Sequence, residues 1–239
     1  MLKHKKRLGL LLMMTILLVI SGCSFNKQEA DKVASLFADR LFYNANLDEY
    51  KETFSDSDLF NKRSKEVETD LQTNFATVFE PISGPLSSSE REDISKSLLD
   101  KVRGTTSYTY TIDENTRKNV KVTYHIKGFD YANLVGMMMA NLLAHEDKID
   151  IGSGDAKHIV TTAYYDSLEK SASISKPVDV SVSFKKDSKD KWKVDSSKTK
   201  EEDIQNLLFV FMTGKVHDEN YEKEMLDEIN KIVEKEKNK

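Results

Sequence analysis

The chain has 239 residues, 36 lysines and arginines against 40 aspartates and glutamates, a formal charge of -4 and one cysteine, Cys23. A single thiol excludes an internal disulfide, and the acidic balance argues against a nucleic-acid partner, which would want a basic field. Nine glycines and three prolines are few for this length, so long ordered elements are expected to outweigh loops.

Lys3, Lys5, Lys6 and Arg7 form a cationic head, and Leu8 to Ile20 form an apolar run broken only by Gly9 and Thr15. A permanent span needs about 20 apolar residues, so residues 1–22 read as a targeting leader. Ile20-Ser21-Gly22-Cys23 resembles the lipobox of bacterial lipoproteins. The resemblance implies cleavage between Gly22 and Cys23, a diacylglyceryl group on the Cys23 sulfur, and residence on the outer face of the cytoplasmic membrane. Two acyl chains give the pair of signals that stable anchoring requires, at about 0.8 kcal/mol per buried methylene. Removing residues 1–22 takes away four basic residues and no acidic one, moving the formal charge from -4 to -8. That balance argues against polybasic attachment to anionic lipid.

Residues 23–28 read as a lipidated tether and 29–239 as a single α+β domain, with 59–103 a candidate helical insertion. From Glu29, Ala30, Val33, Ala34, Phe37, Leu41 and Ala45 recur at helical spacing. Asn46 is placed to cap a short helix through Tyr50 and Phe54. Leu59, Val67, Leu71, Phe75 and Val78 share a seam with Phe79 beside it, and Pro81, Gly84 and Pro85 stop that helix. Ser87 and Glu90 stand at capping-box spacing before a helix expected to end at Gly104. The period then changes to two. Tyr108, Tyr110 and Ile112 alternate with Thr109 and Thr111, and Val120, Val122, Tyr124 and Ile126 repeat the pattern, which predicts a hairpin with one wet face.

Gly128 closes the hairpin, Tyr131 to Ala144 is an apolar helix, 147–155 is a loop, and Ala156 to Ser171 is helical. Pro177 opens a second hairpin through Val178, Val180, Val182 and Phe184, returning through Trp192 and Val194. Thr199 and Glu202 are spaced to cap the next helix, and Tyr221, Met225, Ile229, Ile232 and Val233 mark the last.

Helices followed by two separated hairpins predict segregated α+β architecture. The helix around Phe37 to Tyr50 and the late hairpin ending Lys191-Trp192-Lys193-Val194-Asp195 resemble the nuclear-transport-factor-like, or cystatin-like, cone. They resemble in particular the uncharacterised lipoproteins of low-GC Gram-positive bacteria that carry that cone behind a lipobox. The resemblance implies N-terminal helices packed on a curved antiparallel sheet, with additional helices and a C-terminal helix. The concave face is then the expected pocket, lined by Phe37, Leu41, Tyr108, Tyr110, Tyr124 and Trp192.

Candidate chemistry is sparse. The three strand tyrosines are in phase with aliphatic neighbours and read as core rings with satisfied tips. Asp39 and Asp48, the nearest carboxylates, fall on the wet side of their helices. His145-Glu146 lacks a second histidine at the zinc-hydrolase spacing, where Ile149 stands. His125 lies on the polar face of its strand, and His158 and His217 have no ligand close in sequence. Asp147, Asp150 and Asp155 miss the EF-hand pattern. No nucleophile elbow or phosphate loop occurs, and no cofactor or metal is expected. Met137, Met138 and Met139 read as helix core or as the lining of an adaptable groove. Lys185, Lys186, Lys189, Lys191 and Lys193 read as protection of a sheet edge.

The function these features favour is a non-enzymatic, membrane-tethered module binding a small apolar ligand or an envelope protein. The alternatives are a cone-fold enzyme with a tyrosine and carboxylate pocket, a solute-binding lipoprotein, and a leader that releases a pheromone peptide from 16–22.

Overall fold

The computed structural model describes residues 27–56 and 75–238. The expected leader and cleavage site, residues 1–22 and Cys23, and the expected seam residues Leu59, Val67 and Leu71 lie outside the described residues.

The first helix, α1, covers 27–43 and buries Ala30, Val33, Ala34, Phe37 and Leu41 as their spacing predicts. It stops short of Ala45 because Asn44 turns left-handed, at φ 55°, a conformation asparagine tolerates at helix ends. Asn46 does not cap α2 (Leu47–Thr53) with its side chain. Its amide donates instead to Asp39 Oδ2 at 3.2 Å. Phe75–Phe79 forms a 3-10 turn and Glu80–Ser83 a short helix, α3, with Pro81 in its first turn. The tighter winding of three residues per turn rotates the expected seam: Phe79 is buried and Val78 is 62% exposed.

Helix α4 (Ser88–Thr105) has both halves of the expected box. The Glu90 N–H donates to Ser87 Oγ at 3.3 Å, and the Ser87 N–H donates to the Glu90 carboxylate at 2.7 Å. The helix runs through Gly104 rather than ending there.

Strands β1 (Ser107–Asn115) and β2 (Asn119–Lys127) form the first hairpin. Helix α5 (Tyr131–Leu143), a 3-10 turn (Glu146–Lys148) and helix α6 (Gly154–Lys170) follow. Strands β3 (Val178–Lys186) and β4 (Trp192–Val194) form the second hairpin. Helix α7 (Glu201–Thr213) begins one residue later than expected. Thr199 is not its cap because the Thr199 hydroxyl accepts the Ser183 N–H at 2.7 Å, while Asp203 accepts the Lys200 N–H at 2.7 Å. Helix α8 (Tyr221–Lys237) completes the described chain.

The four strands form one antiparallel sheet in the order β1-β2-β3-β4. Tyr124 lies opposite Val180 and Tyr110, and His125 opposite Asp179, so the apolar and wet faces sort as predicted. Helix α1 lies across the apolar face, where Tyr124 OH donates to the Ala34 carbonyl at 2.9 Å. Helix α7 lies beside it, with Phe42 and Phe211 stacked at 4.5 Å.

The architecture is α+β, but the cystatin-like cone is wrong. The sheet is open and is not curved around a cavity. Curvature is made by bulges and glycine kinks. Here β2 and β3 pair without interruption from Asn119 to Ile126, the one register shift falls on edge strand β1 between Ile112 and Glu114, and β4 has only three residues. The apolar face is also filled. Phe37 contacts Phe184 at 4.9 Å and Phe54 at 6.2 Å between ring centroids. Each such ring contributes roughly 1.5–3 kcal/mol when buried.

On the far side of the helices, α8 docks on α5 through Met225, Ile229 and Val233 against Ala132. Gly136 permits the approach, since a Cβ there would lie 2.8 Å from Ile232 Cβ.

Candidate functional site

Helix α5 has two faces. Ala132, Gly136 and Ala140, spaced four apart, are its small buried residues, and Ala132 and Gly136 meet α8. Its bulky residues Tyr131, Leu134, Val135, Met138, Met139 and Leu142 follow the three and four residue rhythm of a helix stripe. That stripe forms one wall of an apolar cavity of about 290 Å³. Val160 and Tyr164 of α6 and Phe75, Val78, Phe79 and Ile82 close the other sides.

A second cavity of about 340 Å³ shares Phe75 and Tyr131 with the first and continues between Leu98 and the α7 residues Gln205, Leu208, Phe209, Met212 and Thr213. Phe75 and Tyr131 line both, so the two cavities adjoin as an apolar trough between the helices. Small-molecule sites run to about 300–1,000 Å³ with mostly apolar walls and few polar groups, and each of the two cavities lies at the lower edge of that range.

The trough has little polar chemistry. Burial pushes the Tyr164 phenol well above its usual pKa, and its hydroxyl donates to the Ile94 carbonyl at 2.8 Å. The Thr213 hydroxyl is likewise spent on the Phe209 carbonyl at 2.8 Å. Burial also raises the Tyr131 phenol. Val78 and Met139 line the cavity while 62% and 42% exposed, so its mouth is open to solvent. Methionine adapts its shape to different apolar neighbours, and Met138, Met139 and Met212 supply that adaptability here.

The six residues expected to line a pocket lie at the contact between α1 and the sheet. Phe37, Leu41, Tyr124 and Trp192 are buried and Tyr108 and Tyr110 are half-buried, and none is among the residues lining these two cavities. They join α1 to the sheet. Tyr108 OH donates to Asp39 Oδ1 at 2.7 Å, Tyr110 OH to the Asp31 carbonyl at 3.4 Å, and Trp192 Nε1 to Glu29 Oε1 at 3.2 Å. Asp39 is therefore half-buried rather than fully wet. Burial and the Asp39 charge push the Tyr108 phenol far up.

His145 and His158 share a separate cavity of about 240 Å³ with Asn141, Ile159, Thr162, Ala163 and Asp166. Among the described residues, no group of three or more His, Cys, Asp and Glu side chains is arranged to hold a metal ion. His125 Nδ1 lies 2.6 Å from Asp179 Oδ1 on the wet face of the sheet. Among the described residues no helix is long and apolar enough to cross a membrane.

The chain is thus an α+β domain with an open antiparallel sheet and an apolar interhelical trough. It belongs to the family described as Domain of unknown function (DUF5105), whose model matches residues 20–211. No curated protein matches it. Among solved structures, the fold is similar to that of a candidate lipoprotein (ycdA) of Bacillus subtilis, with a TM-score of 0.50 and 15% identity. That likeness covers 77% of this chain and 56% of the other, so the chain spans about half the length of the protein it matches.

Proposed function

We propose that the protein is a lipid-tethered module on the outer face of the cytoplasmic membrane, whose single domain, 29–239, binds a small apolar ligand in the trough without chemically changing it. The trough carries this reading: two adjoining cavities with bulky aliphatic and aromatic walls and a solvent-open mouth. The tether rests on Cys23 and the leader before it, and the fold neighbour is itself described as a candidate lipoprotein.

Apolar transfer supplies the binding energy, about 25 cal/mol per Å² of ligand surface removed from water. Recognition is then by length and girth rather than by hydrogen bonding. A proton-transfer enzyme using Tyr108 and Asp39 is the weaker reading, because that phenol is held protonated and faces none of the cavities described.

Two measurements test the proposal. Palmitate labelling should depend on Cys23, and labelling that survives Cys23→Ala removes the tether. Thermal-shift screening should return apolar ligands that stabilise the domain unchanged, and turnover of any of them overturns the non-enzymatic reading.

A further inference from the structure

The mature chain carries a formal charge of -8, but seven of its basic residues lie in the two turns at one end of the sheet, interleaved with Asp113, Glu114, Asp187, Asp190 and Asp195. The register places Asn119, at the start of β2, opposite Lys185 near the end of β3. The Lys186 N–H donates to the Lys118 carbonyl at 2.9 Å, which sets the turn between β1 and β2 beside the turn between β3 and β4. Arg117, Lys118, Lys185, Lys186, Lys189, Lys191 and Lys193 all belong to these two turns and their flanks.

Several of these charges are internally spent. Lys185 pairs with Asp195 at 2.6 Å, Lys186 pairs with Glu29 at 2.8 Å and Asp190 at 3.1 Å, and Lys191 Nζ donates to the Lys51 carbonyl at 2.9 Å. Lys193 lies in the field of Asp56 and Asp187. Arg117, Lys118 and Lys189 remain exposed, with no ion pair among the described residues.

Glu29 ties this end of the sheet to the start of α1, where exposed Lys27 is the first described residue. Four residues of chain reach at most about 14 Å, so a lipid on Cys23 holds the basic end close to the bilayer. That reach is comparable with the screening length of roughly 8–10 Å at physiological salt.

We propose that the two basic turns, Arg117-Lys118 and Lys189, together with Lys27, dock on anionic phospholipid headgroups of the membrane that carries the anchor, so that the domain stands in one fixed orientation. The inference rests on the tether proposed above. The acidic remainder is repelled by the same leaflet, and both effects favour the same orientation. Strand β2 runs away from the membrane to Lys127, eight residues and about 26 Å from Asn119. Tyr131, which lines both cavities, follows four residues after Lys127, so this part of the trough is held away from the membrane surface. Whole-chain charge conceals this arrangement, because it does not record where exposed cations without an ion pair lie.

The test uses the processed lipoprotein reconstituted into vesicles of phosphatidylcholine alone or mixed with phosphatidylglycerol. Lysine acylation is read residue by residue by mass spectrometry, and the acylated Cys23 peptide is read in the same spectra. Lys118 and Lys189 should be protected on the anionic vesicles at low salt and exposed on the neutral ones, while Lys127 reacts equally on both. The triple variant Arg117→Glu, Lys118→Glu, Lys189→Glu, read at Lys27, should lose the protection. Each basic residue near an anionic surface contributes roughly fivefold to partition, so the protection should fall by at least about tenfold.

Equal reactivity of Lys118, Lys189 and Lys127 with the acylated Cys23 peptide present overturns the docking and leaves the tether standing. Protection that is as strong on neutral vesicles also overturns it, since charge is then not the cause. Absence of the acylated Cys23 peptide overturns both proposals together.

Discussion

The corner between β2 and α5 gives the sharpest test of the packing. At Gly128 an added Cβ would lie 1.8 Å from the Val210 carbonyl oxygen and 3.0 Å from Gly214 Cα, whereas real Cβ atoms essentially never approach closer than 3.0 Å. The end of β2 and the last turns of α7 must therefore separate by more than an ångström in Gly128→Ala. One backbone hydrogen bond crosses this junction, from Phe129 N–H to the Phe211 carbonyl at 3.0 Å, and a second, from Ile174 N–H to the Gly128 carbonyl at 2.9 Å, ties the same corner to the segment before β3. A shift of that size takes the first beyond hydrogen-bonding range and weakens the second.

Leaving buried backbone groups unpaired costs about 1–3 kcal/mol each. With the packing lost around fully buried Phe129, the total is about 3–5 kcal/mol, a large part of a typical stability of roughly 5–15 kcal/mol. The matched control is Gly104→Ala. Gly104 lies in α4, exposed, with nothing within 4 Å of an added Cβ, so the same substitution should gain about 0.5 kcal/mol from helix propensity. Urea unfolding by linear extrapolation reads both changes. If Gly128→Ala falls within about 1 kcal/mol of the parent, β2 and α7 do not meet as described.

Other consequences follow from particular groups. Hydrogen bonds from the Ser87 backbone and hydroxyl and from Lys157 hold the Glu90 carboxylate at about 2, below its ordinary 4.5. Its contribution is therefore complete above pH 4.5 and is lost as the pH falls through 2, so the stability gap between the parent and Glu90→Gln should close over that interval in acid unfolding curves. Ser87→Ala should cost about 1 kcal/mol through the lost cap, measured by the same unfolding method. Burial raises the phenols of Tyr50, Tyr124 and Tyr164 above the ordinary 10.0. Stability is full below pH 10 and should fall as the pH rises beyond it, with phenolate absorbance appearing at unfolding rather than before. Tyr108→Phe removes the hydroxyl that donates to Asp39 at 2.7 Å, and thermal unfolding should show a loss of about 1–2 kcal/mol.

Much of the fold was legible because its signals are local. Alternation in β1, β2 and β3, the box at Ser87 and Glu90, and the stripe of α1 each express one element's own burial pattern. The errors arose where a distant partner decides. Thr199 has the spacing of a cap, but its hydroxyl is claimed by Ser183 across the sheet. Val78 and Phe79 exchange places because a 3-10 turn replaces the α-helical seam. The cone failed because a resemblance in two short stretches says nothing about how far strands bend, and continuous pairing of β2 and β3 leaves no bulge there to bend them. The trough had a readable trace: α5 is apolar on two sides, with small residues Ala132, Gly136 and Ala140 on one and bulky ones on the other. What the sequence could not show was that the bulky side faces a cavity, since that depends on elements far along the chain.

Filling the trough tests the central claim most directly. A polyene fatty acid whose fluorescence rises in apolar surroundings can be titrated into the chain from Ser24 onward, which retains every described residue. It can be compared with Met138→Trp and Leu208→Trp, one substitution for each cavity. Saturable binding by the parent, lost in both variants while their thermal unfolding stays within a few degrees, is the expected result. Absence of saturable binding, or binding that the tryptophans leave unchanged, would contradict a ligand site between α5, α6 and α7.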